Sequence, residues 1–561
     1  MNEYKRIIST LTIAGLLASG LLLLLWARPV AVRADPGDLF VTPDGSGDCS
    51  QVAPCDLQTA LRTGREGDII YLAQGTYTGS GDAVVTLTRS ITFCGGWDGV
   101  PGGPVVRDPQ VYPTILDGEG ERRVVTISGH ISPTVEGLII TGGEATGLGG
   151  REEVGYVLDA GGGMYSHGAS PIIVNNVITS NVASRSTWGC GGGLYLYDGN
   201  GAVVRGNTII SNTATLSPTD GFGGGVYLDY SDAIVIDNTI VDNIASPEGL
   251  ARGGGLFLYY SDATVTGNTV ISNTATRTSS GDGGGLFLEE SNAIISGNVV
   301  AGNVGSIDGW GQGGGLFISR SAATVSANAI QGNAGSVTGY GCGGGIRLGF
   351  SPALIDGNTV VNNNAISSIG IGSGGGIYIW ASRSFTLTNN VIAHNRAGGE
   401  GGGISVRAYL AAYPSHGVLV NNTIAENKLG DAGEGVWIGQ FSAITLTNNI
   451  IVSHAVGITN TIPASATVAA DHTLFYGNGT NYGSGVGSTT EISGSDPLFE
   501  NPAEWDYHLQ PGSPAIDAGT TISWVIADID GDRRPIGVGY DIGADEFGWS
   551  IYLPVVLRGR Q

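Results

Sequence analysis

Apolar and polar residues alternate along most of this chain in short pieces, and a Gly-Gly-Gly triplet punctuates them at a near-constant interval. In the copy beginning at Gly253, Leu256 and Leu258, then Ala263 and Val265, then Val270, form the apolar positions, with Asn268 and Asn273 between and after them. Alternation by two predicts β-strands, and each piece is too short for a helix. The triplet starts at Gly161, Gly191, Gly223, Gly253, Gly283, Gly313, Gly343, Gly374 and Gly401, with a degraded copy at Gly433-Glu434-Gly435. A period held over nine copies is the signature of stacked identical units. Three short strands per unit, bent at Gly and Asn, predict one coil of a parallel β-helix, each strand pairing with its copies about 4.8 Å away.

Two side-chain columns follow from this register. After each triplet, Leu194/Leu196, Val226/Leu228, Leu256/Leu258, Leu286/Leu288, Leu316/Ile318, Ile346/Leu348 and Ile377/Ile379 suit the narrow interior. The alternate positions then point outward: Tyr195/Tyr197, Tyr227/Asp229, Phe257/Tyr259, Phe287/Glu289, Phe317/Ser319, Arg347/Gly349 and Tyr378/Trp380. An outward aromatic stripe over seven rungs marks a binding surface, unless loops or another protein cover it, or the rings only stack and stiffen the sheet. Two asparagine columns, Asn176 through Asn449 and Asn181 through Asn427 with His454 at the last place, read as structural ladders, since Asn tolerates left-handed bends and its amide can bond one rung on.

Composition sharpens the class. The chain has 561 residues, 96 of them Gly, and only 13% are charged; the strict register of its apolar positions argues against disorder. A solenoid lengthens without splitting into domains, so one elongated body is expected. The net charge of −24 excludes nucleic acid and anionic lipid as partners and leaves neutral partners such as glycans, or cations. Lys5 and Arg6 precede an apolar run from Ile7 to Trp26, and Val32-Arg33-Ala34 suits cleavage, so residues 1–34 read as a secretory signal; the run is also long enough for an uncleaved anchor. Cys49 and Cys55 lie six apart, and a disulfide there suits an exported protein. Cys190 and Cys342 each precede a triplet five rungs apart, roughly 24 Å by the strand spacing, beyond disulfide reach.

Residues 35–63 read as an N-terminal cap, with a short helix over 56–61, because an open solenoid end exposes strand edges. The stretches CSQ…PCDLQTAL…GDIIYLAQGTY and FCGGWDG, with the Gly and Asn columns, resemble secreted bacterial right-handed parallel β-helix repeat proteins of the pectate-lyase-like class. The Gly-Gly-x-aliphatic and Asn pattern is also similar to the passenger repeats of polymorphic outer-membrane proteins. DPLF at 496–499, DYHLQPGSPAIDAG at 506–519, DIDGDRRP at 528–535 and YDIGADEF at 540–547 resemble the choice-of-anchor Q domain. The resemblance implies an all-β architecture, a right-handed parallel β-helix over 64–470 and a small C-terminal β module over 471–547, followed by a tail at 548–561. It also implies a secreted or cell-surface location, and the tail reads as a closing strand or a sorting signal.

The expected function is a surface scaffold or adhesin contacting an extracellular polysaccharide or surface protein. Its ligand-binding candidates are Tyr195, Tyr197, Tyr227, Phe257, Tyr259, Phe287, Phe317, Tyr378 and Trp380. The alternative is a polysaccharide lyase or glycoside hydrolase on the same face. Asp229 and Glu289 stand two rungs apart, roughly 9–10 Å by the strand spacing, near the upper separation for an inverting carboxylate pair, with Arg347 two rungs further on. No dense acidic cluster of the kind a calcium-dependent lyase needs occurs on consecutive rungs, and Lys428 is the only lysine after residue 34. No cofactor is expected except calcium at Asp528, Asp530 and Asp532, which have the spacing of the first ligands of a calcium loop, with Asp541, Asp545 and Glu546 near. The closing glutamate is replaced by Gly539, and an Asp-rich turn is the competing reading. The loops before the triplets, with Trp310 and Tyr340 on adjacent rungs, are a further place for specificity.

Overall fold

The computed structural model describes residues 30–32, 37–153, 155–365, 371–429, 433–483 and 485–548; the leader and the tail after 548 lie almost wholly outside them. Each repeat forms one coil, and every coil stacks in register on the next. Leu256–Tyr259 pairs parallel with Val226–Asp229 on one side and Leu286–Glu289 on the other. Thr264–Thr266 and Thr269–Ile271 complete the coil, in sheets that pair the same way. Among the described residues, the sheet containing Leu256–Tyr259 has 14 strands and the one containing Thr269–Ile271 has 15. Leu256, Leu258, Val265 and Val270 are fully buried between them, and each such side chain contributes about 1.5–3 kcal/mol.

The coil holds two strands more than the three expected. After Ile271 the chain runs outward along Thr274–Thr276, turns, and returns along Gly281–Asp282 before the next triplet. Among the described residues these short pieces stack into two further nine-stranded sheets, forming an arm along the solenoid with its own alanine core at Ala245, Ala251 and Ala275. Strands of two or three residues, such as Thr274–Thr276 and Gly281–Asp282, are too short to show a period, so the sequence reads them as loops.

The triplet is where arm and coil meet. Gly253 has a φ of +65°, the left-handed region that Gly enters without cost. A Cβ on Gly254 would lie 2.5 Å from the Gly284 carbonyl oxygen and the Thr274 carbonyl carbon. Both asparagine columns are buried. Asn268 Nδ2 donates to Asn298 Oδ1 at 3.0 Å and to the Val235 carbonyl at 2.9 Å, while its backbone N–H donates to the same Asn298 oxygen at 2.8 Å. Each amide thus ties three successive rungs and satisfies the backbone groups that the bend exposes.

At the N-terminus the helix Leu57–Thr63 is capped by Asp56, whose carboxylate accepts the Thr59 amide at 2.9 Å; it lies beside a bridge between Cys49 and Cys55. At the other end solenoid strands continue to Glu491–Ser493, beyond the boundary at 470 read from the sequence, because alternation persists there after the Gly and Asn punctuation fades. The chain then folds back. Tyr507, Leu509, Ala515, Ile542 and Ala544 pack on Val391, Ala425, Ile450 and Leu474, the outward side chains of the 15-stranded sheet. Asn421 and Asn448 donate to the Asp541 and Thr520 carbonyls at 2.9 and 2.8 Å.

Candidate functional site

The strand after each triplet presents two outward positions, and the arm treats them differently. The first forms a ring column, Tyr195, Tyr227, Phe257, Phe287 and Phe317, that is buried with Cys190, Phe222 and Leu158 from the arm in a second core. Tyr378 is buried as well. Tyr227 and Phe257 stack at 4.6 Å and Phe257 and Phe287 lie 5.1 Å apart. Six of the nine rings expected to meet a ligand are therefore covered by the chain itself. The returning strands of the arm meet them, with Phe222 6.1 Å from the Phe257 centroid and the Arg252 guanidinium 5.6 Å from that of Phe287.

The proposed acid/base residues are also closed off. Asp229 is 1% exposed and receives the Tyr195 hydroxyl at 2.7 Å and Arg151 Nε at 2.7 Å. Arg151 belongs to a hairpin, Gly150–Glu153 against Tyr156–Ala160, that extends the arm. Its guanidinium lies over Tyr227 and Tyr259, 5.5 and 5.1 Å from their centroids. Glu289 is buried, bonded to Arg252 Nη1 at 3.0 Å and to Arg320 Nη2. Arg347 lies in the buried ring column with its guanidinium 4.1 Å from the Phe317 centroid, and burial lowers its basicity, partly offset by Asp282. The three residues do not converge on one open site.

The exposed rings lie one turn further along. Each strand is followed by a residue with φ between +45° and +54°: Asp198, Tyr230, Tyr260, Glu290, Arg320, Phe350 and Ala381. The variety of residues shows that the turn does not require a ring, and a bulky side chain in this conformation is disfavoured. Tyr230, Tyr260 and Phe350 nevertheless occupy it, 49%, 44% and 37% exposed. Tyr230 and Tyr260 stack at 5.0 Å with planes 2° apart, and Tyr259 meets both edge-on. Burial and its two neighbours push the Tyr259 hydroxyl up to about 12, so it stays a neutral donor. Three rungs on, roughly 14 Å by the strand spacing, a second platform begins. Phe350 meets Trp380 at 4.8 Å and Tyr413 at 5.8 Å, and Trp380 meets Tyr409 at 6.3 Å. Arg407 supports it, donating from Nε to Tyr378 at 3.1 Å and lying 4.7 Å from the Tyr409 centroid. Between the platforms Arg320 bonds Glu290 at 2.7 Å.

Of the sequence candidates, Tyr197, Tyr259 and Trp380 are half-buried along this edge. Tyr230, Tyr260, Phe350, Tyr409 and Tyr413 were missed. The signal for the first three was present: a ring directly before the Ser of the column Ser231, Ser261 and Ser351, one residue past the strand. On the edge before the triplets, Trp310 and Tyr340 lie 5.3 Å apart, with Trp310 63% exposed.

The Asp-rich turn is organised by one carboxylate. Asp528 accepts the amides of Asp530, Asp532 and Glu546 at 3.0, 2.8 and 2.9 Å, so its oxygens close the loop, and Arg534 and Glu546 form a buried pair at 2.8 Å behind it. Asp528, Asp530 and Asp532 do not group as ligands around one point; among the described residues the group with metal-ligand spacing contains only Asp530 of the three.

A family model described as a right handed beta helix region matches residues 133–298 and 284–472. No curated protein matches the chain. Among solved structures, pectate lyase Pel9A is 13% identical, covering 92% of this chain and 97% of its own, with a TM-score of 0.31. XylC in complex with xylose is 10% identical over 90% and 98%, with a TM-score of 0.38. The periplasmic alginate epimerase AlgG is 13% identical over 68% and 78%, with a TM-score of 0.34. Likenesses this distant carry no argument about substrate or reaction.

Proposed function

Since the chain belongs to the right-handed β-helix family, we propose that its solenoid is an exported, surface-associated scaffold that binds a neutral polysaccharide along the ring-bearing edge. The observation that carries this reading is the placement of Tyr230, Tyr260 and Phe350 on left-handed turns that accept Asp, Glu, Arg or Ala elsewhere. A ring held there against its conformational preference is retained for what it touches. Flat rings offer apolar faces to the C–H faces of sugars, and rungs at about 4.8 Å repeat them on the scale of an extended glycan. Glu290 and Arg320, paired between the platforms, supply acceptor and donor groups for hydroxyls. A net charge of −24 repels uronate-rich chains, which selects a neutral ligand. The lysine and arginine before the apolar leader support export.

Binding rather than turnover is expected, because Asp229 and Glu289 are each committed to arginine partners. Affinity electrophoresis against neutral and acidic polysaccharides tests this. Tyr230→Ala with Tyr260→Ala should weaken binding by about 2 kcal/mol, roughly 30-fold, with the fold unchanged by circular dichroism. Release of reducing ends or unsaturated products by the wild-type protein would instead establish the lyase or hydrolase reading. Equal binding by the double variant would move the site off this edge.

A further inference from the structure

Arginines that reach into the seam between arm and coil are matched by acceptors, with one exception. Arg123 donates to the Ala160 carbonyl at 2.9 Å and to that of Gly149. Arg151, Arg252 and Arg407 pair with Asp229, Glu289 and Glu400 at 2.7, 3.0 and 2.8 Å. Arg347 is only 8% exposed, and its Nε is buried without a partner. Among the described residues its guanidinium makes ring contacts in place of hydrogen bonds or ion pairs, lying 4.1 Å from the Phe317 centroid and 5.8 and 5.7 Å from those of Tyr378 and Trp380. Asp282, which partly offsets its charge, accepts instead from Gln312 Nε2 at 2.7 Å.

This guanidinium lies at a break in the second outward column. Along successive rungs that column reads Tyr259, Glu289, Ser319, Gly349, Trp380 and Arg407, so the large side chains give way to Ser and Gly beside Phe317 and Arg347. A Cβ on Gly349 would lie 3.5 Å from Arg347 Nη1 and 3.4 Å from Phe317 Cε2; one edge of the guanidinium therefore faces the space that a side chain at 349 would fill. On the far side of the break Trp380 Nε1 is a second buried donor without a partner. On the near side Glu289 is held by Arg252 and Arg320. Arginine does not relieve its burial by losing its proton, and an uncompensated buried charge is strongly destabilising. A water molecule would satisfy an N–H group but not the charge, and donors alone do not complete its bonding.

We propose that Arg347, with Trp380 Nε1 beside it, forms a binding site for one small oxyanion of the sulfate or carboxylate type, reached through the break at Ser319 and Gly349. A guanidinium fork presents two parallel N–H groups to two oxygens of such an ion. The rings of Phe317, Tyr378 and Trp380 keep water from its faces, which strengthens the charge at its edge. The net charge of −24 opposes anions at a distance, but that repulsion is screened beyond about 10 Å at about 0.1 M ionic strength. At contact the desolvated guanidinium decides. The site lies between the two aromatic platforms and does not depend on a glycan meeting them: the same chemistry takes a free ion or an acid group carried on a larger molecule.

The test uses the full mature protein, with sulfate and acetate as the probes. Calorimetric titration should give one equivalent bound per chain. Crystals of the unmutated protein soaked in selenate, the isostere of sulfate, should show an anomalous peak beside Arg347, a readout independent of whether variants fold. Arg347→Phe places in this rung the ring that Phe317 carries in the one before, and should keep the fold while abolishing the equivalent. Gly349→Val retains the charge but fills the break, and should weaken binding roughly tenfold or more. Arg396→Gln, at an exposed arginine elsewhere, should change nothing. Glucose 6-sulfate against inorganic sulfate, with glucose as the blank, identifies the source: tighter binding of the ester supports an acid group on a saccharide, and equal or tighter binding of the free ion supports an inorganic ligand. Absence of stoichiometric binding of sulfate, its ester and acetate overturns the proposal. So does binding that Arg347→Phe leaves unchanged, or ordered water in place of selenate at Arg347.

Discussion

His454 occupies the last place of an asparagine column, and the substitution has a measurable consequence. Its Nε2 accepts the Asn427 backbone amide at 3.2 Å, as an asparagine oxygen does elsewhere, while Nδ1 is buried without a partner. Burial lowers its pKa to about 3. The unfolded chain takes up this proton near pH 6.5 and the folded chain does not until about pH 3. The stabilising contribution is therefore whole above pH 6.5 and is lost as the pH falls toward 3, to the extent of about 4 kcal/mol. Asp541 and Asp545, raised to about 7 and about 6 mainly by burial, act with the opposite sign, since their contribution is present at low pH and lost as the pH rises through those values. The comparison that isolates the histidine is with His454→Asn. In urea melts at pH 7 and pH 4, the variant should match the wild type at the higher pH and exceed it at the lower. The asparagines were legible from sequence as structural because a column of identical amides has one economical use. The isolation of Nδ1 was not, since it depends on what packs around the ring.

Among the elements, the arm decides which aromatic residues meet solvent, and the hairpin Gly150–Glu153 with Tyr156–Ala160 closes one end of it. Arg151 reaches from this hairpin to Asp229, whose side chain is 1% exposed. Replacing Arg151 by Ala leaves a buried carboxylate without its ion partner, at about 3 kcal/mol, and removes the cation over Tyr227 and Tyr259. The expected result is local: amide exchange should quicken at 157–160, while the amides of Asn268 and Asn298 keep their protection. Uniform loss of protection would show that arm and coil unfold as one unit. Strands of the coil were legible in sequence because each inward column is aliphatic for seven rungs. The arm was not, because strands of two or three residues give periodicity nothing to register. Reading its strands as loops is what turned a covered ring column into an expected binding face.

At the scale of the molecule, a stack of coils leaves an end and a flank to cover, and different pieces of chain cover them. The helix Leu57–Thr63 contributes Leu57 and Ala60 to the solenoid core. The C-terminal module instead packs on the outside, over Val391, Ala425, Ile450, Val452 and Leu474. Truncation after residue 494 would bare this strip along an otherwise acidic body. Self-association is the expected outcome, visible as early elution in size-exclusion chromatography with the coil's circular dichroism retained. A monomeric, soluble truncation would show that the module contributes little to solubility.

The sequence by itself determined the coil, its register, the inward columns and the structural use of Gly and Asn, because a repeat encodes each contact many times over and every rung meets the same neighbours. Only the tertiary structure decided which outward side chains are open. That outcome depends on the arm and on the turn after each strand, where a φ near +50° sends Tyr230, Tyr260 and Phe350 into solvent. It also depends on a module folding back from a distance of a hundred residues or more, so that Asp541 meets Asn421. Contacts of that kind occur once in the chain, and a pattern that occurs once leaves no period to read.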